Sequence, residues 1–300
     1  MKDFNEIYKQ IYDNYYSELE SLRKKAFSNS LKLICCTLII GLVLPLIFLK
    51  EALIFTIFIV FFITTFTLAL NPFGKKYNEK YKKTVITTLI HECDNNLKYD
   101  PNSKISSHIY DDAEFEKYDE YNANDYIYGK INGIIDFELG DVRTVDVHRD
   151  SDGHTSRTTL FSGLFSASTF NTNINGKIKI RSDKGWLGKL LSDQELMKMD
   201  SQEFEKYFDV YTSDKILAMR ILTSDIMDFL ITYKKDKKRK FEITLKNHKF
   251  YIRLHSADMF ESTLSKKSMD FSTLQQYFDT LNFMCDLNKK IYNVLSEKNI

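Results

Sequence analysis

The sequence predicts an α+β protein, and three observations lead there. Near the N-terminus two apolar runs, LICCTLIIGLVLPLIFL and ALIFTIFIVFFITTFTLAL, are parted only by Lys50 and Glu51. From Tyr126 the apolar pattern switches to a period of two, with Gly129, Gly133 and Gly140 as punctuation. Beyond Phe271 a helical period returns and holds to about Glu297. The expected layout is an N-terminal amphipathic helix over 1–30, a two-span transmembrane helical hairpin over 31–71 and a helical stalk over 72–99. A cytosolic α+β domain follows over 100–300, with a mainly antiparallel sheet and a long C-terminal helix.

The first helix is predicted because Phe4, Ile7, Tyr8, Ile11, Tyr12, Tyr15, Leu19 and Leu22 recur at intervals of three and four. Its other face is charged, with acids among the lysines, which suits packing on protein better than an interfacial membrane helix. Each apolar run is about long enough to cross a bilayer core at roughly 1.5 Å per residue. Arg23, Lys24 and Lys25 precede the first run, and Lys75, Lys76, Lys80, Lys82 and Lys83 follow the second. By the positive-inside rule both flanks face the cytoplasm, so the expected location is the cell membrane, multi-pass, with both termini cytoplasmic. Cys35 and Cys36 are apolar residues of the first run or sites of palmitoylation.

Lys75 to about Leu97 reads as a helix pairing with the first one. Asp100-Pro101-Asn102-Ser103 breaks it, and a short strand is predicted at 104–109. The acidic stretch 111–120 is a loop or short helix anchored by Phe115 and Tyr118. Strands are predicted at 126–131, 134–139, 142–148, 155–161, 163–171, 177–181, 208–211, 241–245 and 250–254. Gly185–Lys189 reads as a loop, and Ser192-x-x-Glu195 has the form of a capping box. Helices are predicted at 214–222 and 224–233. The last helix carries an apolar line from Leu274 through Phe278, Leu281, Cys285 and Asn288 to Leu295, a seam for its own domain or for a second copy.

Lys+Arg 42 against Asp+Glu 41 gives no strong field, so composition argues for neither nucleic acid nor an acidic substrate. Four scattered cysteines make no disulfide framework.

Phe161-Ser-Gly-Leu-Phe165 with Phe170-Asn171 forms one distinctive stretch. Glu203-Phe204-Glu205-Lys206-x-Phe208-x-Val210-Tyr211-x-x-Asp214, followed by Ala218 and Ile221-Leu222-Thr223, forms another. Behind an apolar hairpin these resemble the bacterial family called domain of unknown function 3137. The resemblance covers about 126–254 and implies a two-span membrane protein with a cytosolic α+β domain. Where that family tends to place an arginine after the alanine, this chain has Met219, with Arg220 next. The family name implies no activity.

Asp146, His148 and Asp150 alternate on one hairpin and are the candidate metal ligands, although turns collect Asp, Ser and Gly for conformational reasons alone. Lys234, Lys235, Lys237, Lys238, Arg239 and Lys240 form the strongest charge run, either a solvated turn or a contact for anionic lipid headgroups. Glu203, Glu205, Asp209 and Asp214 read as surface acids around a buried strand rather than an acid–base pair. No phosphate-binding, zinc-protease, nucleophile-elbow or Cys-x-x-Cys motif occurs. No catalytic residue and no cofactor is therefore assigned. The expected function is a membrane-anchored binding or scaffold module, the alternative an enzyme with an unrecognised pocket. Expected partners are the bilayer through 31–71 and a protein or second copy, not nucleic acid.

Overall fold

The computed structural model describes residues 3–47, 57, 59–64, 72–150, 153–171, 176–182, 195–256, 259–264 and 267–296. The chain forms two compact units, 1–88 with 261–275, and 89–260 with 276–300.

In the first unit, helix α1 spans Phe4–Ile47 and α2 spans Pro72–Tyr81, running on into a π-helical turn at Lys82–Ile86. Phe4, Ile7, Ile11 and Leu19 of α1 are buried, as are Tyr77 and Tyr81 of α2, so most of the predicted apolar face is covered by protein, whereas Tyr12, expected on that face, is exposed. Lys80 pairs with Glu18 at 2.9 Å. Arg23 grips the Glu20 carboxylate through two nitrogens and donates to the Leu264 carbonyl. Phe271 packs edge-on to Phe4 at 5.1 Å.

The expected transmembrane hairpin is corrected here. Among the described residues no helix is long and apolar enough to cross a membrane. Helix α1 is one element, and its first part carries Glu18, Glu20, Arg23, Lys24 and Lys25. Its described apolar part, residues 33–47, reaches only about 22 Å at the helical rise, against a hydrocarbon core of about 30 Å. Lys50, Glu51 and most of the second run lie outside the described residues. The multi-pass membrane location and the cytoplasmic placement of both termini rested on that hairpin and fall with it. Leu31, Ile39, Phe61 and Phe62 are exposed.

The second unit is built on a nine-stranded sheet. Its strands are β1 (Leu97–Asp100), β2 (Glu120–Ile131), β3 (Ile135–Arg149), β4 (Thr155–Thr169), β5 (Lys177–Arg181), β6 (Glu195–Met197), β7 (Asp209–Thr212), β8 (Phe241–Lys246) and β9 (Lys249–His255). The order is β1-β2-β3-β4-β9-β8-β5-β7-β6, with every pair antiparallel. Helices α3 (Thr87–Cys93), α4 (Ser107–Asp112), α5 (Gln202–Tyr207), α6 (Lys215–Ile221), α7 (Ser224–Lys237) and α8 (Phe271–Ser296) complete the chain.

Two predicted elements change type. The stalk helix stops at Cys93, because the Asp94 carboxylate takes the backbone N–H groups of Asn96 and Asn132 and turns the chain into β1. The strand expected at 104–109 is instead a turn leading into α4, which buries Ile105 and Tyr110 against Phe165 and Val142. Residues 183–194, including the predicted loop and most of the capping box, lie outside the described residues, and Glu195 begins β6. Side-chain caps at Ser201, Asp214 and Thr223 start α5, α6 and α7.

The sheet has two unlike faces. Ile178, Ile180, Ile243 and Leu245 face Ile221, Leu230, Leu287 and Ile291 of α6, α7 and α8, around a gap of about 10 Å³. Phe204 and Phe208 stack at 4.7 Å in the same unit and are fully buried. The opposite face is charged, and the segment 105–118 lies across it.

Candidate functional site

Alternation along the strands decides which side chains reach the charged face. On β5 these are Lys177, Lys179 and Arg181; on β8, Glu242, Thr244 and Lys246; on β9, Lys249, Tyr251 and Arg253. The register aligns Arg181 with Glu242 and Glu242 with Arg253 in one row, and Lys177 with Lys246 and Lys249 in another. The crossing segment brings Asp112, Glu114 and Glu116, three acids at alternate positions.

Arg253 is the centre of this arrangement and is buried. Its guanidinium donates to Glu116, to the Tyr110 hydroxyl at 3.1 Å and to Glu242 at 2.9 Å. It also stands 4.4 Å from the Phe115 ring centroid and 5.4 Å from that of Phe161. Glu116 takes further hydrogen bonds from Tyr110 at 2.6 Å and Thr144 at 3.0 Å. Burial lowers the proton affinity of Arg253, yet guanidinium stays charged at neutral pH.

The lysines close on the tip of the segment. Lys177 and Lys246 both pair with the Glu114 carboxylate, and Lys179 donates to the Glu114 carbonyl at 2.7 Å. Hydrogen bonds from Lys177 and Lys246 hold the Glu114 carboxyl at about 2. Burial works against the charge on Asp112, but hydrogen bonds from Lys249, Tyr251 and Lys246 outweigh it and keep that carboxyl well below the usual range. Glu114 takes this position with φ +52°, in the left-handed region. Burial, with Lys177 and Arg181 as neighbours, brings the Lys179 amine down to about 8.

The predicted metal ligands sit elsewhere, on the outer part of the β3–β4 hairpin. Asp146 lies opposite Thr158 and His148 opposite Ser156. At the turn the Asp150 N–H donates to the His154 carbonyl at 3.1 Å, and the Asp150 carboxylate accepts the His154 N–H at 2.8 Å. Among the described residues no group of three or more His, Cys, Asp or Glu is placed to hold a metal ion.

The basic run lies at the end of α7. Lys234 donates to the Arg239 carbonyl, Lys235 pairs with Glu203, Lys237 with Asp279 at 2.7 Å, and Arg239 donates to Thr280. Lys238 ends the helix in the left-handed conformation, and Lys240 is exposed. Met219, where the resemblance leads one to expect arginine, is exposed beside buried Ala218.

Sequence reasoning missed the Arg253 cluster. Its signals were present: Asp112, Glu114 and Glu116 alternate, and so do Lys249, Tyr251 and Arg253. What was missing was the crossing of two segments far apart in the chain.

Fold and site define an α+β domain whose antiparallel sheet carries a charged face, with Asp112, Glu114, Glu116 and Glu242 each against a cation. Residues 159–292 match the family described as "Protein of unknown function (DUF3137)". The crystal structure of the mycobacterial trehalose monomycolate transport factor A is similar at 11% identity and a TM-score of 0.36, over 71% of this chain and 94% of that one. A likeness at that level carries no argument about function. No curated protein matches the chain.

Proposed function

We propose that the sheet domain is a non-enzymatic binding module. The observation that supports this is the neutralised charged face. Its carboxylates are tied to cations, and Asp112 and Glu114 have their proton affinity driven down, which makes them poor bases at neutral pH. Tyr110 and Tyr251 are pushed up, chiefly by burial, and make poor acids. Lys177, Lys179, Lys246, Lys249, Tyr251 and Arg253 are engaged in holding the 105–118 segment down. The enzyme alternative has one observation in its favour, the Lys179 amine at about 8.

The test is photo-crosslinking of the full chain in its native cell, with a crosslinking residue placed singly at exposed positions over the domain. A binding module gives discrete adducts at a confined set of positions. Uniform background at every position, together with an Asp112→Asn variant that folds but loses a measurable turnover, would replace this reading with the enzyme.

A further inference from the structure

The β3–β4 hairpin outruns its neighbours. Strand β2 stops pairing with β3 at Glu120 opposite Val145, and β9 stops pairing with β4 at His255 opposite Gly163. Among the described residues, the last backbone contact on that side of β4 is the Ser256 N–H to the Ser162 carbonyl, at 3.2 Å. Beyond it, among the described residues, β3 and β4 are strand-paired only with each other, from Val145 opposite Thr159 to Arg149 opposite Thr155. On the β3 side the open edge is partly closed, since Asp119 accepts the Val147 N–H at 2.6 Å. On the β4 side, among the described residues, no strand lies along 155–161.

That free edge reads Thr155-Ser156-Arg157-Thr158-Thr159-Leu160, and its first five residues are exposed. They are mostly small, β-branched or hydroxylated side chains that suit a strand and leave the main chain open to approach. A two-stranded ribbon by itself is only marginally stable in water, so a third strand has a gap to fill. Alternation puts Arg143, Arg149 and Arg157 on one face of this ribbon, all exposed. Arg157 is met by Glu120 at 3.1 Å and Arg143 by the Thr159 hydroxyl at 3.0 Å. Among the described residues, Glu120 is the carboxylate paired with these three arginines, and it meets Arg157 alone.

We infer that the outer edge of β4, residues 155–161, receives an extended acidic segment of a partner protein as an added strand. This rests on the binding-module reading and supplies its surface. The added strand runs antiparallel to β4, in line with β9. Its main chain pairs with the open edge; acids at alternate positions stand beside Arg157 on β4 and, across β4, come within side-chain reach of Arg149 and of the Arg143 guanidinium that lies over Thr159. Charge decides for an acidic segment over a second copy, because a second ribbon would bring three more arginines to the same face.

The probe is a seven-residue peptide alternating Glu with Thr or Val, titrated against the full chain by calorimetry. Two derivatives carry N-methyl groups on the odd or on the even amides. Strand addition requires that one derivative loses at least tenfold in affinity while the other binds as the parent does, since alternate amides of an edge strand point away from its neighbour. Arg149→Gln should weaken binding several-fold, and Arg157→Glu should abolish it. A peptide with the same composition but consecutive Glu should bind at least tenfold less well. Equal loss with both methylated probes, equal binding of the consecutive-Glu peptide, or no binding of the parent at millimolar concentration would each overturn the inference. Self-association of the chain that the peptide does not reverse would overturn it in favour of a second copy. Crosslinks elsewhere on the domain would leave the binding-module reading standing while this surface failed.

Discussion

Arg253 shows why single residues matter more here than net charge. The chain is close to neutral, yet it buries a guanidinium between Glu116 and Glu242. Arg253→Met should cost about 3–5 kcal/mol, because it removes the buried guanidinium from between two carboxylates that are themselves largely withdrawn from water. Adding Glu116→Gln and Glu242→Gln should recover part of that loss, read from urea midpoints; a triple variant no better than the single would show that packing on Phe115 and Phe161 is the larger part. Glu114 gives a pH dependence with a definite sign. Its folded pKa, about 2, lies below its ordinary value of 4.5. Its stabilising contribution is therefore complete above about pH 5 and is lost as pH falls through the folded value. The carboxylate is partly exposed, so solvent screening keeps the effect small. Glu114→Gln should flatten the acid limb of the stability profile between about pH 5 and 2, and parallel profiles for the two proteins would assign that limb to other groups.

At the scale of elements, the join between β4 and β9 depends on one glycine. Gly163 has φ +151°, and a Cβ there would stand 2.1 Å from the Leu254 carbonyl oxygen. Gly163→Ala should destabilise by roughly 1–3 kcal/mol through strain and forced separation of the strands. Thermal unfolding and amide exchange of β9 measure it, and unchanged protection across 249–255 would show that the backbone adjusts without cost. The same join marks where β4 leaves its neighbour and the free edge begins. Elements that carry their own signals formed where the sequence put them. Asp214 accepts the Leu217 N–H at 3.0 Å and opens α6, and α8 keeps its apolar line buried at Leu274, Phe278, Leu281, Cys285, Asn288 and Leu295.

For the whole molecule, the family segment and the folding unit differ. Residues 159–292 include most of β4 and all of β5 to β9 but omit β1, β2, β3 and the segment from Ile105 to Tyr118. Cut out alone, that segment would expose Phe161, Phe165 and Tyr251, which pack with Ile105, Tyr110 and Phe115. It would also leave Arg253 without Glu116. A fragment 159–292 should therefore unfold without a cooperative transition in urea, whereas the full chain should show one. Cooperative melting of the fragment at the full chain's midpoint would make β1–β3 and the crossing segment accessory.

The sequence by itself determined the α+β class, most of the strands and the long last helix. Each of these rests on a period of two or 3.6 that holds over many residues, or on a cap or turn that acts locally. Tertiary structure alone decided what short or far-sighted features depend on. Leu97 continued a helical apolar line yet became the first residue of β1, because the Asp94 carboxylate and the pairing with Gly129 outweigh a single apolar position. Residues 104–109 read as a strand and became a turn and helix, because Ile105 and Tyr110 are buried together against β3 and β4. The apolar pattern from Leu33 measured hydrophobicity, and among the described residues no helix that carries it is long and apolar enough to cross a membrane. The Arg253 cluster joins residues 116, 242 and 253, and nothing in a local pattern says that an acid at 116 will meet an arginine more than a hundred positions away. That meeting depends on the order of strands in the sheet and on a segment crossing its face, and both are set by long-range packing.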